Sequence, residues 1–247
     1  MDEPAALANI RTVLCEPSHP GNIGAAARAL KTMGLTRLEL VQPRAFPHPD
    51  AHARASGAFD VLEAARVHAT LDAALAATRF VCGLSARRRD LTPEPVDARE
   101  AAREIAAAAQ DGQVAVVFGP ERTGLSTEAL SRCHRLVRIP ANPAYPSLNL
   151  AASVQVMAYE LRLACLEAGA GPSPQGSAVN PASHEEVERL IVHLEQTMRA
   201  TGFLHPDRPG RLVQRMRRLF ARARPEAEEI AILRGFLRSV TEPDRRS

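Results

Sequence analysis

Through the first two thirds of the chain, short apolar runs rich in β-branched residues alternate with alanine-rich stretches of helical periodicity. Residues 11–15, 37–41, 79–83, 114–118 and 136–139 predict strands. Residues 22–33, 71–77, 98–109, 127–132 and 148–167 predict helices. This alternation is the pattern of an α/β domain with a mostly parallel sheet. Several strands read as continuous apolar runs, as expected when helices cover both faces. Between residues 168 and 183 the periodicity dissolves into Gly-Ala-Gly-Pro-Ser-Pro-Gln-Gly-Ser, the composition of a linker. Three more helical patterns follow, at about 183–201, 210–223 and 225–240. The expected organisation is an α/β domain over 1–168, a linker over 169–182 and a small helical extension over 183–247.

The second tail helix is two-sided. At 100° per residue, Leu212, Val213, Met216, Leu219 and Phe220 form one apolar face, and Arg211, Arg215, Arg218 and Arg222 form a stripe on another. From residue 203 to 225 there are seven arginines and one acid, Asp207. A charge run is usually a solvated face, but such a run repels itself unless a polyanion or another surface's acids compensate it, which makes the four stripe arginines candidate RNA contacts.

Composition adds boundaries. Hydrophobic residues make up 45% and charged ones 24% of 247, ordinary for a soluble globular protein. No apolar run approaches the roughly 18 residues of a membrane span. The opening Met1-Asp2-Glu3-Pro4 has neither a basic nor an apolar leader segment, so a cytoplasmic location is expected. Cys15, Cys82, Cys133 and Cys165 are scattered without Cys/His metal spacing, so no metal is expected. Net charge is +3 and the isoelectric point is near 8.9. Of 31 basic residues only Lys31 is a lysine. GC-rich coding accounts for that bias alone, so the distribution of charge says more than its sum.

Candidate chemistry sits in three loops that follow strands, where open α/β sheets bind ligands. The first runs Glu16-Pro-Ser-His-Pro-Gly-Asn22-Ile-Gly24-Ala-Ala-Ala-Arg28, whose amides at a helix start can meet an anion. It is not a G-x-G-x-x-G fingerprint, which disfavours a Rossmann-type enzyme. The second, Gly119-Pro120-Glu121-Arg122-Thr123-Gly124, carries glycines that admit a ligand close to the backbone, although a tight turn with a surface ion pair reads equally well. In the third, three prolines stiffen the stretch from Ile139 to Asn149, and Ser147 can cap the long helix that follows.

Together, in this order, the loops resemble the motifs of the SpoU/TrmH branch of the SPOUT methyltransferases. Asn9-Ile-Arg, Pro20-Gly-Asn-Ile-Gly-Ala-Ala-Ala-Arg-Ala and Lys31-Thr-Met-Gly-Leu resemble the first motif. Ser85-Ala-Arg, Phe118-Gly-Pro-Glu-Arg and Ser147-Leu-Asn-Leu resemble the later ones. In the tail, His193-Leu-Glu-Gln-Thr, Ala200-Thr-Gly-Phe, Arg217-Arg-Leu-Phe-Ala-Arg-Ala-Arg-Pro-Glu and Ile232-Leu-Arg-Gly are similar to the extension of a bacterial subgroup that 2′-O-methylates nucleotide 32 of the tRNA anticodon loop. The resemblance implies a SPOUT-type α/β fold with a C-terminal trefoil knot, a homodimer, S-adenosyl-L-methionine as cofactor and tRNA as substrate. It places the cofactor on Leu84, Ser85, Ala86, Gly119, Ile139, Pro146, Ser147 and Leu148. Leu84 stands where threonine is frequent, and Pro146 where a small polar residue is. The catalytic set it implies is Asn22, Arg28, Glu121, Ser147 and Asn149. Arg28 is the family's candidate base, but a guanidinium stays charged. It is better suited to hold a phosphate and stabilise the forming alkoxide, with a phosphate oxygen or water taking the proton. Two alternatives remain: a ribosomal RNA methyltransferase of the same family, or a non-catalytic RNA-binding relative.

Overall fold

The computed structural model describes residues 4–85, 95–169, 180–204 and 211–241. Seven strands form one sheet: β1 (Ile10–Cys15), β2 (Arg37–Val41), β3 (Arg66–His68), β4 (Phe80–Leu84), β5 (Pro95–Asp97), β6 (Val114–Phe118) and β7 (Arg135–Arg138). Their order is β3-β2-β1-β6-β4-β7-β5, and every pairing is parallel. The five strands expected from the apolar runs are all present. The three-residue strands β3 and β5 were not anticipated, being too short to show a period.

Side chains alternate along each strand with period two, and the sheet sorts them onto two cores. Ile10, Leu14, Phe80, Cys82, Val114, Val116 and Phe118 face one core. It is covered by α1 (Pro20–Thr32), α5 (Ala98–Asp111) and α7 (Leu150–Gly169). Val13, Cys15, Val41, Val81, Ala115 and Val117 face the other, beneath α4 (Leu71–Leu75) and α6 (Thr127–Ser131). Two helices that the periodicity missed, α2 (Pro49–Ala55) and α3 (Phe59–Glu63), pack near α1. Gly24 permits this, since a Cβ there would collide with the Ala51 carbonyl.

The second face also buries charge. Arg11 lies 4.0 Å from Glu39, which bonds His68 at 2.6 Å, and Arg11 donates to the Ala74 carbonyl at 3.1 Å and to Gln113. An ion pair inside a run that reads as apolar persists only because each group has such partners.

In the tail, α8 (His184–Ala200), α9 (Leu212–Ala223) and α10 (Ala227–Thr241) match the three expected helices. A capping box of Ser183 and Glu186 starts α8. Ala182, Leu190, Ile230 and Leu237 form a third, small core. Of the expected linker, 170–179 lie outside the described residues. Its end is paired: Ala182 N–H donates to the Pro225 carbonyl, and Pro181 bridges Glu226.

Candidate functional site

Because all strands are parallel, the loops after β1, β4, β6 and β7 emerge at one edge. Chain order leaves β1 for β2 and β3 on one side, then returns to β4 beyond β6 on the other. That reversal is the point where open α/β sheets hold ligands.

At this edge a cavity of about 380 Å³ opens over β6, β4 and β7, within the range of roughly 300–1,000 Å³ common for small-molecule sites. Leu84, Ser85, Gly119, Ile139, Pro146, Ser147 and Leu148 all line it, brought together from three separate loops. Ala86, expected with them, lies outside the described residues. Phe118, Val137, Leu150 and Ser153 also line the cavity, beyond the eight residues expected to hold the cofactor. The walls are largely apolar and small. Gly119 closes the loop on itself: a Cβ would strike the backbone of Gly124 and Leu125. A side chain at 119 would therefore disturb the loop before it met a ligand, so substitution there is not a clean probe of the cavity.

Beside the cavity stands a chain of polar side chains. Asn149 Nδ2 donates to Asn22 Oδ1 at 3.1 Å, and Asn22 Nδ2 donates to Glu121 Oε1 at 2.7 Å. The Ser18 backbone N–H and hydroxyl both donate to Glu121 Oε2, at 3.0 and 2.7 Å, and the His19 N–H donates to Oε1 at 3.3 Å. Partial burial alone would raise the Glu121 carboxyl, but the bonds from Ser18 and Asn22 outweigh it and bring the pKa down to about 2. A carboxylate held so firmly ionised is a poor proton acceptor at neutral pH. Its work is to tie the β6 loop to α1, and through Asn22 to α7. Ser18 lies in the first of the three loops, and its bond to Glu121 has no signature in the sequence. The surface ion pair entertained for Glu121 and Arg122 is not what forms; Glu121 turns to Ser18 and Asn22.

Two expectations about local structure change. The cap of α7 is Asn149, whose Oδ1 accepts from the N–H groups of Ala151 and Ala152 at 2.9 and 3.3 Å; Ser147 lies two residues further out, exposed on the cavity wall. Helix α1 begins at Pro20, two residues ahead of the expected start at Asn22, with His19 Nδ1 accepting from Gly21 N–H. Arg28 is not drawn into the cluster. It is exposed, six residues and about 9 Å along α1 from Asn22. Among the described residues nothing meets its guanidinium.

The tail docks on the α4/α6 face. His184 Nε2 bonds Asp72 Oδ1 at 2.8 Å, and Arg132 reaches the same carboxylate at 2.6 and 2.8 Å. Burial acts against the Asp72 charge, but His184 and Arg132 overcome this and hold the carboxyl well below its ordinary range. Arg217 pairs with Glu188 at 2.8 Å, and the Arg224 guanidinium lies 4.9 Å over the Phe80 ring. Asp72, His184 and Glu188 offer ligand atoms within 4.8 Å of one another, but an arginine already occupies each carboxylate. None of this was visible in the sequence, because the partners lie far apart along the chain, Asp72 and His184 by 112 residues and Arg217 and Glu188 by 29. Within the candidate stripe, Arg211 is engaged at the amino end of α9. Arg215 and Arg222 are exposed and Arg218 is half-buried, and among the described residues these three have no acidic partner. The apolar face of α9 is only half-buried against α6 and α8, with Leu219 44% exposed. No described helix is long and apolar enough to cross a membrane.

Comparison with known proteins agrees with this architecture. Residues 9–159 match the SpoU rRNA Methylase family, and residues 185–247 match the tRNA methyltransferase TrmJ, C-terminal domain. The tRNA (cytidine/uridine-2′-O-)-methyltransferase TrmJ of Klebsiella pneumoniae is 49% identical, covering 97% of this chain and 99% of that protein. The crystal structure of TrmJ from Z. mobilis superposes with a TM-score of 0.84 at 35% identity, over 95% of this chain and 100% of that one. A structure described as giving insights into 2-OH methylation of C/U34 on tRNA has a TM-score of 0.54 at 28% identity, over 65% and 99%. This chain therefore belongs to the SpoU methylase family, in the branch that carries the TrmJ C-terminal domain.

Proposed function

We propose that this protein is a tRNA 2′-O-methyltransferase that uses S-adenosylmethionine to methylate a cytidine or uridine ribose in the anticodon loop, at nucleotide 32. One observation carries the reading: the hydrogen-bonded series Asn149–Asn22–Glu121–Ser18 joins three strand-end loops beside a cavity lined by seven of the eight residues expected to hold the cofactor. The residues present fit that cofactor. Apolar walls from Leu84, Ile139 and Leu148 suit an adenine ring, and the close turn at Gly119 presents backbone groups rather than side chains. Bound there, S-adenosylmethionine supplies an electrophilic methyl group.

The protein's own part is alignment and electrostatics. Asn22 and Asn149 are fixed before any ligand arrives, so the β6 loop and the α7 start need little reorganisation. Arg28 supplies a permanent positive charge to hold an RNA phosphate and favour the alkoxide, the proton passing to a phosphate oxygen or water. Arg215, Arg218 and Arg222, which have no acidic partner among the described residues, hold further phosphates. Domain limits of 1–168, 169–182 and 183–247, a trefoil knot, a homodimer and a cytoplasmic location complete the reading; the end of α7 at Gly169 and the start of α8 at His184 support those limits.

The test is to incubate purified protein and S-adenosylmethionine with total tRNA and, separately, with ribosomal RNA, both lacking this modification, then map 2′-O-methyl groups. A new methyl at nucleotide 32 is expected. Methylation confined to ribosomal RNA, or none with the cofactor bound, would overturn the assignment.

A further inference from the structure

A second cavity, of about 370 Å³, opens at the same edge of the sheet on the α4/α6 side. Pro120, Thr123 and Gly124 wall both cavities, so the two sites stand one loop's thickness apart. The floor is apolar, formed by Cys15, Val41, Leu71 and Leu125. Glu16 and Gln42 stand at the rim, at the carboxyl ends of β1 and β2.

Both rim residues have left-handed backbones, with φ of 47° for Glu16 and 46° for Gln42. That conformation is disfavoured for any residue with a Cβ. It is held by the Glu16 N–H donating to the Val41 carbonyl at 2.7 Å and the Gln42 N–H donating to the His68 carbonyl at 3.0 Å. Two adjacent strands thus turn sharply at the same level and set two polar side chains on one opening. Strain of this kind concentrates where a site must be shaped.

The chemistry of the opening follows from which groups are already taken. Asp72 is held by Arg132 and His184, and Arg132 by Asp72 and Glu128. The Thr70 and Ser126 hydroxyls accept from the backbone of Ala73 and Ala129. Gln42 Nε2 donates to the Ala69 carbonyl at 2.6 Å, which leaves its Oε1. Among the described residues nothing pairs with the Glu16 carboxylate. The Glu16 carboxylate and Gln42 Oε1 therefore remain as acceptors at the rim, the Thr70 and Ser126 hydroxyls keep a proton to donate, and the one lining arginine is neutralised by Asp72 and Glu128. Such a site rejects phosphates and takes a flat, neutral group that donates hydrogen bonds. Helix α6 forms one wall and α9 packs against α6, so the arginine stripe lies on the same side of the sheet.

We propose that this cavity receives a base of the substrate RNA carrying an exocyclic amino group, from the methylated nucleotide or its immediate neighbour. Acidic side chains accept from the cytosine amino group, and bases splayed from single-stranded loops are read along such edges. The inference rests on the function proposed above.

The experiment uses the full-length protein, S-adenosylmethionine and anticodon-arm RNAs with cytidine exchanged for uridine at the methylated nucleotide and, separately, on each side of it. One exchange should lower kcat/KM roughly tenfold, and Glu16→Gln, which replaces a pure acceptor by an amide of the same shape, should shrink that difference to about twofold. Gln42→Ala should shrink it as well. Cofactor affinity by calorimetry should not change, since neither residue lines the first cavity. An active wild type indifferent to every exchange, or a Glu16→Gln protein that keeps the full difference, overturns the proposal. A wild type that binds cofactor but methylates no tRNA overturns the function itself, and this inference with it.

Discussion

Glu121 and Asp72 are both carboxylates held ionised below their ordinary range, yet opposite kinds of partner hold them. Around Glu121 the donors are uncharged: two backbone N–H groups, the Ser18 hydroxyl and the Asn22 amide. Around Asp72 they are the Arg132 guanidinium and the His184 ring. Neutral donors stabilise the charge without cancelling it, so the loop cluster keeps its negative charge and a geometry that salt barely touches. Arg132 cancels the charge of Asp72, and that attraction weakens with ionic strength. The site is thus built for fixed geometry, whereas the tail is fastened electrostatically. Contrast also marks their cations: Arg217 and Arg224 hold the tail in place, while Arg28, Arg215, Arg218 and Arg222 have no acid beside them among the described residues.

The strongest way to break this division is Arg28→Ala. If Arg28 is held in reserve for the reacting phosphate, removing it should cost on the order of a thousandfold in methyl transfer and leave cofactor affinity intact by calorimetry. Arg28→Lys should rescue little, because a point charge cannot hold two phosphate oxygens in a fork; full activity in the lysine variant would end the assignment. A smaller effect is expected from Arg215→Ala, Arg218→Ala and Arg222→Ala combined. Loss of three phosphate contacts should weaken tRNA binding about ten- to a hundredfold and flatten the salt slope by roughly 2. Unaltered slope would mean that the stripe is only a solvated face.

The same division explains what could be read from the chain. Leu84, Ser85, Gly119, Ile139, Pro146, Ser147 and Leu148 were legible because each belongs to a short motif after an apolar run, and parallel strands must bring those motifs to one edge. Asn22, Glu121 and Asn149 were legible as residues, but their mutual bonding was not, since no local spacing relates positions 22, 121 and 149. Asn149 had no explanation inside a helix that was expected to start at Leu148; starting it at Leu150 turns the same residue into a cap. The tail's helices were legible from their period. Its attachment was not, because Asp72 and His184 each look like an isolated polar residue. Arg217 and Arg224 read as part of one basic run, although Glu188 and the Phe80 ring claim them. Buried Arg11 and Glu39 were hidden by the apolar residues around them.

The gentlest test compares the two carboxylates directly, through Glu121→Gln and Asp72→Asn. Each carboxyl lies below its ordinary value, 4.5 for Glu121 and 3.8 for Asp72. Each therefore contributes stability that is complete above that value and is lost as pH falls towards the folded-state value, because the unfolded chain then binds more protons. For Glu121 the loss runs from about pH 4.5 down to about 2. At neutral pH both substitutions should destabilise by about 1–2 kcal/mol, a figure discounted from the linkage value because both groups are partly open to solvent. Salt should then separate them. Raising ionic strength from roughly 0.05 to 1 M shortens the screening length several-fold, so the cost of Asp72→Asn should shrink by about half, whereas the cost of Glu121→Gln should stay the same. Limited proteolysis should show the Asp72→Asn tail cut faster than wild type at low salt, and the difference narrowed at high salt. Equal salt sensitivity in the two variants would show that charge, rather than hydrogen-bond geometry, also holds the loop cluster, and would remove the distinction between a fixed site and an electrostatically fastened tail.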